Sequence, residues 1–524
     1  MSLTLIFLAI VLVILFREFY WKRRHLPPGP LPLPLLGNLL GIIRNGAGYE
    51  AFYKWTKQYS PVYTYWIGSV PVVSINDLDT LKDSVVKDGD AYADRYTLGG
   101  KGREKYRGGD YGIIDTNGYL WKEQRRFALH TLRDLGLGKA HMQQRIIEEA
   151  EFMMRTLEVD AKNGPVAIHK YLDRTVGSVI NAVIFGYRFD EENQSEFFEL
   201  RDMFDKQRKL FKNPLLILLF TLPQIKHFPP FSGMMKLLFE VRDAVFAFFQ
   251  KQASKFKLKS HFHSQIDQHK HEIDYSSEDS RDFCEIYLKE MKKGEDDPNC
   301  TFTEPQLRNV CFDLWTAGLE TTASTLAWGV LFMIRYPKAQ LAMQIELDAV
   351  IGNSGRTIDY EDKKRLPYSS AVVMEMQRAA NIIPQNLCRQ TTRDIVLNRF
   401  PLKKGTVIVP QISSLLYDPE ACIICLLIVR VFPDPYAFKP ERFLNEDGEL
   451  KTFEQFLPFS LGRRQCPGEG LAKVELFLFL TNLVYRFEIS AEDPSNPPSM
   501  EKTLTSAIKP QPYNCRLTSR FTSS

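Results

Sequence analysis

One stretch near the middle of the chain is compatible with a single, very long helix. It opens at Thr303-Glu304-Pro305-Gln306, which has the form of a capping box, and helix-compatible sequence continues to Arg335, just before Tyr336-Pro337. At a rise of 1.5 Å per residue such a helix is about 48 Å long. We therefore predict one helix that is long enough to cross a whole domain and that constrains how the other elements are arranged.

The middle of this predicted helix carries the run Ala317-Gly318-Leu319-Glu320-Thr321-Thr322. The small pair Ala317-Gly318 allows a flat ligand or dioxygen to approach the backbone, and a threonine hydroxyl can bond the carbonyl four residues back and open a local groove. Glu320 and Thr321 form an acid–alcohol pair that can relay protons. The alternative is an ordinary helix whose glycine only permits close contact with a neighbouring helix.

A second distinctive stretch, residues 459–469, places a lone cysteine, Cys466, between a turn glycine and a Pro-Gly that opens an apolar helical run. If Cys466 is the N-cap of that helix, Pro467 occupies the first helical position, and the free N–H groups favour an ionised thiolate. Phe459 can shield the sulfur, and Arg464 can reach an anionic group. The layout suits a metal-bound thiolate, and a buried free cysteine is the alternative.

Composition places the chain among ordinary globular proteins. It has 524 residues, of which 44% are hydrophobic and 25% charged, and a net charge of +4, which gives no support to nucleic-acid binding. The eight cysteines are scattered, which indicates a reducing compartment and argues against a disulfide framework. The one Cys-x-x-Cys, from Cys422 to Cys425, lies in an apolar run that does not suit a zinc or redox site.

The N-terminus predicts a membrane anchor. Residues 3–16 are apolar apart from Thr4, and the segment counted to Trp21 rises about 28 Å, close to the ~27 Å of an endoplasmic reticulum bilayer. Positive charge follows the apolar run and no small-x-small cleavage site comes next, so we predict a retained anchor at residues 1–21 and not a signal peptide. The positive-inside rule then places everything after Lys22 in the cytoplasm.

The segment after the anchor, residues 22–38, is basic and then rich in proline, which excludes a helix or a central strand and predicts a stiff hinge. Residues 62–67 and 70–75 flank a Gly-Ser turn and predict a β-hairpin. From there to about Arg378 the hydrophobic period is mostly helical. Because no low-complexity linker or repeat interrupts residues 39–524, we predict that they form a single domain.

Two further pairs of side chains stand at helical spacing. Trp121 and Arg125 are four residues apart, so the indole and the guanidinium can address the same anion, although an exposed arginine packed on a tryptophan is the simpler interpretation. Glu375 and Arg378 are three residues apart, which on most helices is only a surface ion pair. Neither pair identifies a site by itself.

The stretch around Cys466 resembles the haem-ligand signature of the cytochromes P-450, the haem-thiolate monooxygenases, which reads Phe-x-x-Gly-x-Arg-x-Cys-x-Gly. Every fixed position is filled, by Phe459, Gly462, Arg464, Cys466 and Gly468. The resemblance covers essentially the whole chain after the anchor. Four further motifs occur in the family's order, namely Trp-x-x-x-Arg, Ala-Gly-x-Glu-Thr-Thr, Glu-x-x-Arg and Pro-Glu-Arg-Phe. The chain looks closest to the microsomal branch that oxidises drugs and lipids.

The resemblance implies a mainly α fold with small β-sheets, with haem b between the long helix and the loop and helix of Cys466, whose thiolate binds the iron. Thr321 and Glu320 would be the catalytic pair. The residues that the resemblance assigns to the cofactor are Cys466, Arg464, Trp121, Arg125, Phe459, Gly468 and, after the apolar run at 382–384, Arg389. Glu375, Arg378 and Arg442 would form a buried network that fixes the core around the cysteine.

The implied reaction inserts one oxygen atom of O2 into a hydrophobic small organic substrate, such as a xenobiotic, a fatty acid or a steroid-like molecule. No Gly-x-Gly-x-x-Gly follows a strand, so electrons are expected from a separate NADPH-dependent flavoprotein reductase, with cytochrome b5 as a further candidate partner. The expected docking surface for the reductase is a basic face that contains Lys122, Arg126, Arg133 and Arg463. The expected location is the endoplasmic reticulum membrane, with the catalytic domain facing the cytoplasm.

The substrate itself cannot be read from the sequence. The expected pocket walls are apolar and include Ile113, Ile114, Phe312, Ala317, Ile382 and Ile383, together with residues 504–508. Two other functions stay open: a haem-thiolate isomerase or dehydratase that needs no reductase, against which the intact Glu320-Thr321 pair speaks, and a catalytically impaired, membrane-bound haem-binding protein.

Three segments do not fit the resemblance simply. Residues 421–430 are an apolar insert in a passage that the family shows unbroken, and we expect them not to belong to the working fold. Residues 215–220 form an apolar hexamer; such a run is usually core, but here we favour a second, shallow membrane contact. Residues 261–278 are polar and contain four histidines, and a solvated loop is favoured there over a metal cluster.

Overall fold

The computed structural model describes residues 3–45, 50–97, 104, 106–136, 140–211, 213, 215–216, 219, 223–251, 273–275, 281–352, 354–417, 431–503 and 507–521. The helices in these ranges are α1 (Leu3–Phe19), α2 (Leu39–Arg44), α3 (Glu50–Tyr59), α4 (Leu78–Leu81), α5 (Gly118–Asp134), α6 (Ala140–Asp160), α7 (Ile168–Phe185), α8 (Gln194–Phe211), α9 (Phe231–Lys251), α10 (Phe283–Lys293), α11 (Glu304–Arg335), α12 (Pro337–Ile351), α13 (Pro367–Ala380), α14 (Ile412–Leu416) and α15 (Glu469–Arg486).

The strands are short: β1 (Val62–Ile67), β2 (Val70–Ile75), β3 (Asp94–Arg95), β4 (Arg389–Gln390), β5 (Ile395–Leu397), β6 (Phe400–Leu402), β7 (Val407–Pro410), β8 (Phe487–Ala491), β9 (Lys502–Thr503), β10 (Lys509–Pro510) and β11 (Cys515–Ser519). Helices therefore predominate, and the predicted class, mainly α with small β-sheets, is confirmed.

The prediction of one long helix is also confirmed, and α11 is called the central helix from here on. Thr303 is its N-cap, and the Thr303 side chain accepts a hydrogen bond from the backbone N–H of Gln306 at 3.4 Å. The helix ends at Arg335, because Pro337 cannot continue it. Its length and composition would suit a membrane span, but 72% of that apolar window is buried, so it is a core helix.

In contrast to the central helix, the N-terminal helix α1 is exposed. The span Thr4–Trp21 has a mean hydropathy of 2.0, and none of it is buried. At its end Lys22 pairs with Glu18 at 2.6 Å, and the Arg24 guanidinium lies 3.4 Å over the ring of Trp21. An exposed apolar helix that ends in aromatic and basic residues has the composition of a membrane span.

The chain divides into two compact units. Unit 1 comprises Met1–Gly100, Ile383–Tyr436 and Phe453–Cys466, and unit 2 comprises Lys101–Ile382, Ala437–Thr452 and Pro467–Ser524. The prediction that residues 39–524 form one catalytic domain stays a prediction.

The main sheet of unit 1 has five strands in the order β1-β2-β7-β4-β3. The antiparallel hairpin of β1 and β2 has the predicted bounds, with Val62 opposite Ile75 and Ile67 opposite Val70. β2 pairs with β7 in parallel, and β4 pairs with β7 and β3 in antiparallel fashion. The sheet therefore fixes the position of β4, which carries the predicted site residue Arg389.

The proline-rich segment 27–38 contains neither a helix nor a strand, and it is tied to the β1–β2 hairpin. Gly37 has a φ of +60°, and a Cβ atom there would lie 2.4 Å from the carbonyl oxygen of Trp66. The backbone N–H of Asn38 also donates to that oxygen at 2.7 Å. Leu31 and Leu35 are each 67% exposed. The segment therefore presents leucines to the surroundings from a fixed backbone.

In unit 2 the central helix packs against α7, α13 and α15. Two of its glycines allow this close approach. A Cβ atom on Gly318 would lie 2.9 Å from Ile180 of α7, and one on Gly329 would lie 2.2 Å from the sulfur of Met376 on α13. Two small antiparallel sheets, β8 with β11 and β9 with β10, complete the described part of this unit.

Some predictions fall outside the described residues. The apolar insert 421–430 does so entirely, as does most of the segment 261–278 with its four histidines. Of the apolar hexamer 215–220, Leu216 and Leu219 are buried in a cluster with Tyr106 and Leu238. For these two leucines the core interpretation therefore holds and the membrane interpretation does not.

Candidate active site

The loop of residues 459–466, the cysteine loop, is built on a tight turn. Gly462 has a φ of +73°, and a Cβ atom there would lie 2.1 Å from the carbonyl oxygen of Val85, so only glycine fits. The backbone N–H of Cys466 donates to the Phe459 carbonyl at 3.0 Å and closes the loop. Among the cysteines in the described part of the chain, Cys466 alone is exposed. The loop therefore presents one accessible thiol.

The start of helix α15 differs from the prediction. Its N-cap is Gly468 and its first residue is Glu469, with the first intrahelical bond from the Ala472 N–H to the Gly468 carbonyl at 3.0 Å. The prediction that Cys466 is the N-cap was wrong, because Pro467 and Gly468 form a turn instead of the first helical residues. The helix begins three residues after the cysteine.

Two buried arginines brace the cysteine loop within unit 1. The Nε of Arg464, a residue that is 5% exposed, donates to the carbonyl of Ala93 at 2.6 Å. Arg389 on β4 is 1% exposed, and its Nη2 donates to the carbonyl of Leu461 at 2.8 Å. Both were predicted to contact haem. The structure places their positive charge in and beside the loop.

The predicted pair Trp121 and Arg125 lies on helix α5 in unit 2. Trp121 is buried and Arg125, one turn later, is half-buried. Three basic residues of the same helix, Lys122, Arg126 and Arg133, are exposed, and so is Arg463 of unit 1, whose guanidinium lies 3.4 Å from Asp90. The roles assigned to these residues stay predictions.

The distinctive run of the central helix has one exposed residue, Ala317. Ala317 is exposed although most of its helix is buried, and the Thr321 hydroxyl donates to the Ala317 carbonyl at 2.7 Å. Gly318 faces Ile180 of α7, so its lack of a side chain permits close contact between the two helices. That the small pair Ala317-Gly318 also admits a ligand stays a prediction. Ala317 and Thr321 remain available to a ligand.

Glu320 is held by three cations. Its carboxylate contacts the guanidinium of Arg201, and lies 3.2 Å from Arg208 Nη1 and 2.7 Å from Lys509 Nζ. Burial by itself would raise the pKa of Glu320, but the charges of Arg201, Lys509 and Arg208 outweigh it and lower the pKa to about 2. Glu320 is therefore a firmly ionised carboxylate at neutral pH.

A second acid beside the central helix was missed. Glu475 on α15 is 2% exposed, and the hydroxyl of Thr322 hydrogen-bonds to its carboxyl group. Burial raises the pKa of Glu475 to about 8, and the Thr322 hydrogen bond only partly opposes that shift. Its Oε1 has no hydrogen-bond partner among the described residues. The available signal was one acid within the apolar run from Val474 to Leu480.

Glu375, Arg378 and Arg442, the side chains predicted to form a network, are in contact within unit 2. Arg378 Nε lies 2.7 Å and Arg442 Nε 3.1 Å from Glu375 Oε2. Both guanidinium groups also donate to the Ala437 carbonyl at 3.2 Å, and the Lys439 N–H donates to Glu375 Oε1 at 2.9 Å. Removing any one member would leave a buried charge without its partner.

The residues predicted to wall the substrate pocket differ in exposure. Ile113 and Phe312 are buried, Ile114, Ile382 and Ile383 are half-buried, and Ala317 is exposed. The backbone N–H groups of Ile113 and Ile114 both donate to Asp313, a residue of the central helix that the sequence did not single out. Leu504, Thr505 and Ser506, which were also considered for the wall, lie outside the described residues.

The donor set fits haem held through a cysteine. The cysteine loop offers an exposed thiol, which suits an axial iron ligand, and the buried guanidinium groups of Arg464 and Arg389 suit carboxylates. The described ranges contain no group of three or more His, Cys, Asp or Glu residues that could hold a metal ion by protein ligands alone.

Comparisons with known proteins agree with haem binding through a cysteine. The sequence model of the Cytochrome P-450 family matches residues 27–517. The chain is 32% identical over 522 residues to cytochrome P-450 2M1 of Oncorhynchus mykiss, covering 97% of this chain and 96% of the relative. It is 34% identical over 498 residues to cytochrome P-450 2B4 of Oryctolagus cuniculus, covering 94% of this chain and 93% of the relative.

A third relative, cytochrome P-450 2D26 of Rattus norvegicus, is 34% identical over 521 residues and covers 97% of this chain and 96% of its own. The match thus extends over both units, the cysteine loop and the central helix. This chain belongs to the cytochrome P-450 family of haem-thiolate monooxygenases, oxidoreductases that bind haem through a cysteine.

Proposed function

We propose that this protein binds haem b through Cys466 and inserts one oxygen atom of O2 into a hydrophobic small organic substrate, namely a xenobiotic, a fatty acid or a steroid-like molecule. The observation that carries the proposal is the exposed thiol of Cys466, in a loop whose sequence matches the family signature. The bound haem would supply the dioxygen chemistry, and electron donation from the thiolate favours cleavage of the O–O bond.

The residues around the cofactor have distinct proposed roles. Arg464 and Arg389 bring buried positive charge to the cysteine loop, and Trp121 and Arg125 offer an indole N–H and a guanidinium one helical turn apart. These groups suit the two carboxylates of haem. Phe459 shields the sulfur from water, and Gly468 allows the chain to turn into α15.

The proposed proton donor to the reacting oxygen is Thr321. Its hydroxyl bonds to the Ala317 carbonyl on the exposed part of the central helix, so a proton that it gives up can be replaced from water. Glu320, with a pKa of about 2, stores no proton at neutral pH. Its part in the relay is that of a carboxylate that orients neighbouring donors and accepts a proton only in passing.

Electrons are proposed to come from an NADPH-dependent flavoprotein reductase, with cytochrome b5 as a second donor. The exposed basic residues Lys122, Arg126 and Arg133 of α5 suit an acidic partner, and Arg463 contributes positive charge on unit 1. The proposal places docking on the basic residues of α5, and it makes Arg463 a separate candidate contact on unit 1.

The proposed location is the endoplasmic reticulum membrane, with both units on the cytoplasmic side. The exposed apolar helix α1 supports the anchor, and the basic residues that follow it support the orientation. The exposed leucines Leu31 and Leu35, on a segment tied to the β1–β2 hairpin, would add a second contact beside the anchor.

The test is reconstitution of the full-length protein with a purified NADPH-dependent reductase in phospholipid vesicles, followed by an untargeted screen of fatty acids, steroids and xenobiotics under isotopically labelled dioxygen. The proposal predicts products that carry one labelled oxygen and form only with both NADPH and reductase. Unlabelled products that form without reductase would show an isomerase or dehydratase. Bound haem with no product from any class would contradict the proposed activity.

A further inference from the structure

One buried arginine of unit 2 differs from the others in its surroundings. Three of the others contact a carboxylate, namely Arg107 with Asp313, Arg201 with Asp173 and Arg378 with Glu375. Arg174 of helix α7 is 4% exposed, and its Nη2 has no hydrogen-bond partner among the residues that the structure describes. Because a buried charge is costly unless it is paired and hydrogen-bonded, Arg174 lacks a partner that its position demands.

Two neighbouring side chains do not supply this partner. The ring centre of Phe152 lies 4.1 Å from the guanidinium carbon of Arg174, but an aromatic ring stabilises the face of a cation and accepts no hydrogen bond in its plane. Glu149 Oε1 lies 2.8 Å from Arg188 Nε and accepts from the Ser178 hydroxyl at 2.8 Å. Burial lowers the pKa of Arg174, and the charge of Glu149 only partly opposes that shift. Arg174 is therefore a buried cation with an incomplete set of acceptors.

Arg174 lines a cavity of about 450 Å³, whose other residues come from the end of α6, the start of α7, the start of α8 and the turn after α6. A volume of this size is within the range of small-molecule sites in proteins. The exposed Lys170 lines the same cavity, and so does Ala167, the N-cap of α7, which makes no side-chain capping bond. The N-terminus of a helix carries partial positive charge and N–H groups that favour an anion. Two cations and a helix N-terminus therefore suit the cavity to an anion.

The rest of the cavity wall indicates the kind of anion. Asp160 also lines it, with Oδ2 accepting from the Tyr171 hydroxyl at 2.7 Å, and this carboxylate repels a second negative charge on a ligand. Val166 and Phe198 add apolar surface, and Phe198 is 38% exposed. A guanidinium matches the two oxygens of a carboxylate with two parallel hydrogen bonds. The wall therefore fits a singly charged carboxylate on an apolar body.

We propose that this cavity is a binding site for apolar monocarboxylates, in which Arg174 and Lys170 bind the carboxylate and Phe198 contacts the apolar body. The bound carboxylate supplies the acceptors that the Arg174 guanidinium lacks. All the lining residues belong to unit 2, and none of them is a residue assigned above to haem, to the substrate pocket or to reductase docking. The inference does not rest on the proposed function.

The first test measures binding of 3-(4-fluorophenyl)propionate by fluorine NMR. The full-length, haem-loaded protein is first saturated with an azole that binds the iron, so that the haem pocket is closed to the probe. The probe should bind saturably, and Arg174→Met should weaken its binding by about tenfold or more, because charge-assisted hydrogen bonds are lost. The matched control is Arg155→Gln, which removes an exposed arginine of α6 and should change the affinity by less than about twofold.

The second test measures the class of ligand. The neutral amide of the same probe has nearly the same shape and should bind about tenfold more weakly to the wild-type protein, because it carries no charge. The dianion 4-fluorophenyl phosphate should also bind more weakly than the carboxylate, and Asp160→Asn should narrow that difference, because the repelling charge is gone. Tighter binding of the amide or of the phosphate in the wild-type protein would overturn the assignment to monocarboxylates.

The alternative is that Arg174 only balances the charge of Glu149, whose Oε2 also has no hydrogen-bond partner among the described residues. In that case Arg174→Met lowers the thermal midpoint of unfolding and leaves probe binding unchanged. The proposal expects no loss of midpoint, since an incompletely bonded buried cation is removed, and it expects the probe to raise the midpoint of the wild-type protein but not that of the variant.

The proposal is overturned if Arg174→Met keeps the wild-type affinity for the probe, or if the azole-saturated protein does not bind the probe at all, because the haem pocket is then the only site. If Arg174→Met yields no folded protein, Lys170→Gln changes an exposed side chain of the same cavity and should weaken binding by about threefold. Unchanged affinity in Lys170→Gln would then overturn the proposal. These measurements need no turnover.

Discussion

Glu320 and Glu475 are both carboxylates beside a threonine of the central helix, yet their surroundings differ. Glu320 precedes Thr321 and is surrounded by Arg201, Arg208 and Lys509, which lower its pKa to about 2. Glu475 comes from helix α15 and accepts a hydrogen bond from the hydroxyl of Thr322, and its burial raises its pKa to about 8. At neutral pH the first is ionised and the second holds a proton.

Burial alone does not set the protonation state of an acid in this protein. Both groups lose water, which disfavours the charged form of each. Three cations reverse that effect at Glu320, and one hydroxyl does not reverse it at Glu475. The Glu320 cluster is therefore a charged structural centre next to the half-buried Thr321, and Glu475 is a neutral acid in the core.

The largest expected effect comes from Glu320→Gln. The variant removes the buried carboxylate that Arg201, Arg208 and Lys509 contact together, and we expect the free energy of unfolding at pH 7 to fall by about 4 kcal/mol. Because the pKa of Glu320 is lowered from 4.5, its contribution is complete above that value and is lost as the pH falls toward 2. Urea unfolding from pH 7 down to pH 3 should show the difference from wild type shrinking.

The control for this prediction is Asp205→Asn. Asp205 contacts Arg201 and Arg208 in the same cluster but is 35% exposed. We expect this variant to lose less than about 1 kcal/mol of unfolding free energy, because an exposed ion pair contributes little to stability. Equal losses in the two variants would contradict the central role of Glu320.

Glu475→Gln should change stability with the opposite pH dependence. The folded protein holds a proton on Glu475 up to a pKa of about 8, whereas the unfolded chain releases it near 4.5, so wild-type stability falls as the pH rises between these values. A neutral glutamine removes that loss. We expect the free energy of unfolding of the variant to exceed that of wild type by about 3 kcal/mol at pH 7 and by almost nothing at pH 4. A constant difference across this range would show that Glu475 is ionised in the folded protein.

The next prediction concerns Thr321→Ala. We expect haem to bind normally and NADPH to be consumed, but product formation to fall by about 10²-fold with release of hydrogen peroxide, because the proton donor is gone. The measurement is the ratio of product to NADPH oxidised in the reconstituted system. A ratio equal to that of wild type would remove the role assigned to this hydroxyl.

The smallest effect is expected for Thr322→Val, which has the same shape without the hydroxyl. Thr322 is 3% exposed and bonds to Glu475, so the loss should be about 1 kcal/mol in unfolding free energy with no change in product per NADPH. If this variant uncouples turnover and Thr321→Ala does not, then Thr322 is the proton donor and Thr321 is not.

The sequence predicted the features that depend on local chemistry. The central helix has its N-cap at Thr303 and its end before Pro337, and the β1–β2 hairpin has the predicted bounds, because capping and turn residues act on their neighbours. The start of α15 was misplaced, since a Pro-Gly pair can open a helix or form a turn. Local sequence does not distinguish the two.

The charge partners could not be predicted. Glu320 was expected to pair with Thr321, but Arg201, Arg208 and Lys509 are more than a hundred residues away along the chain, and no periodicity brings them together. For the same reason the bonds between Asp313 and the segment around Ile113 were missed. Single acids within apolar stretches, such as Glu475, are the signal that could have directed attention to buried ionisable groups.

If Cys466 is the iron ligand, the spectrum of the reduced, carbon monoxide-bound protein depends on its thiolate. Cys466→Ala should abolish the thiolate band while helix α1 still holds the protein in the membrane. The half-buried Cys300 provides the control, and Cys300→Ala should keep the full band. A thiolate band that persists in Cys466→Ala would contradict the account.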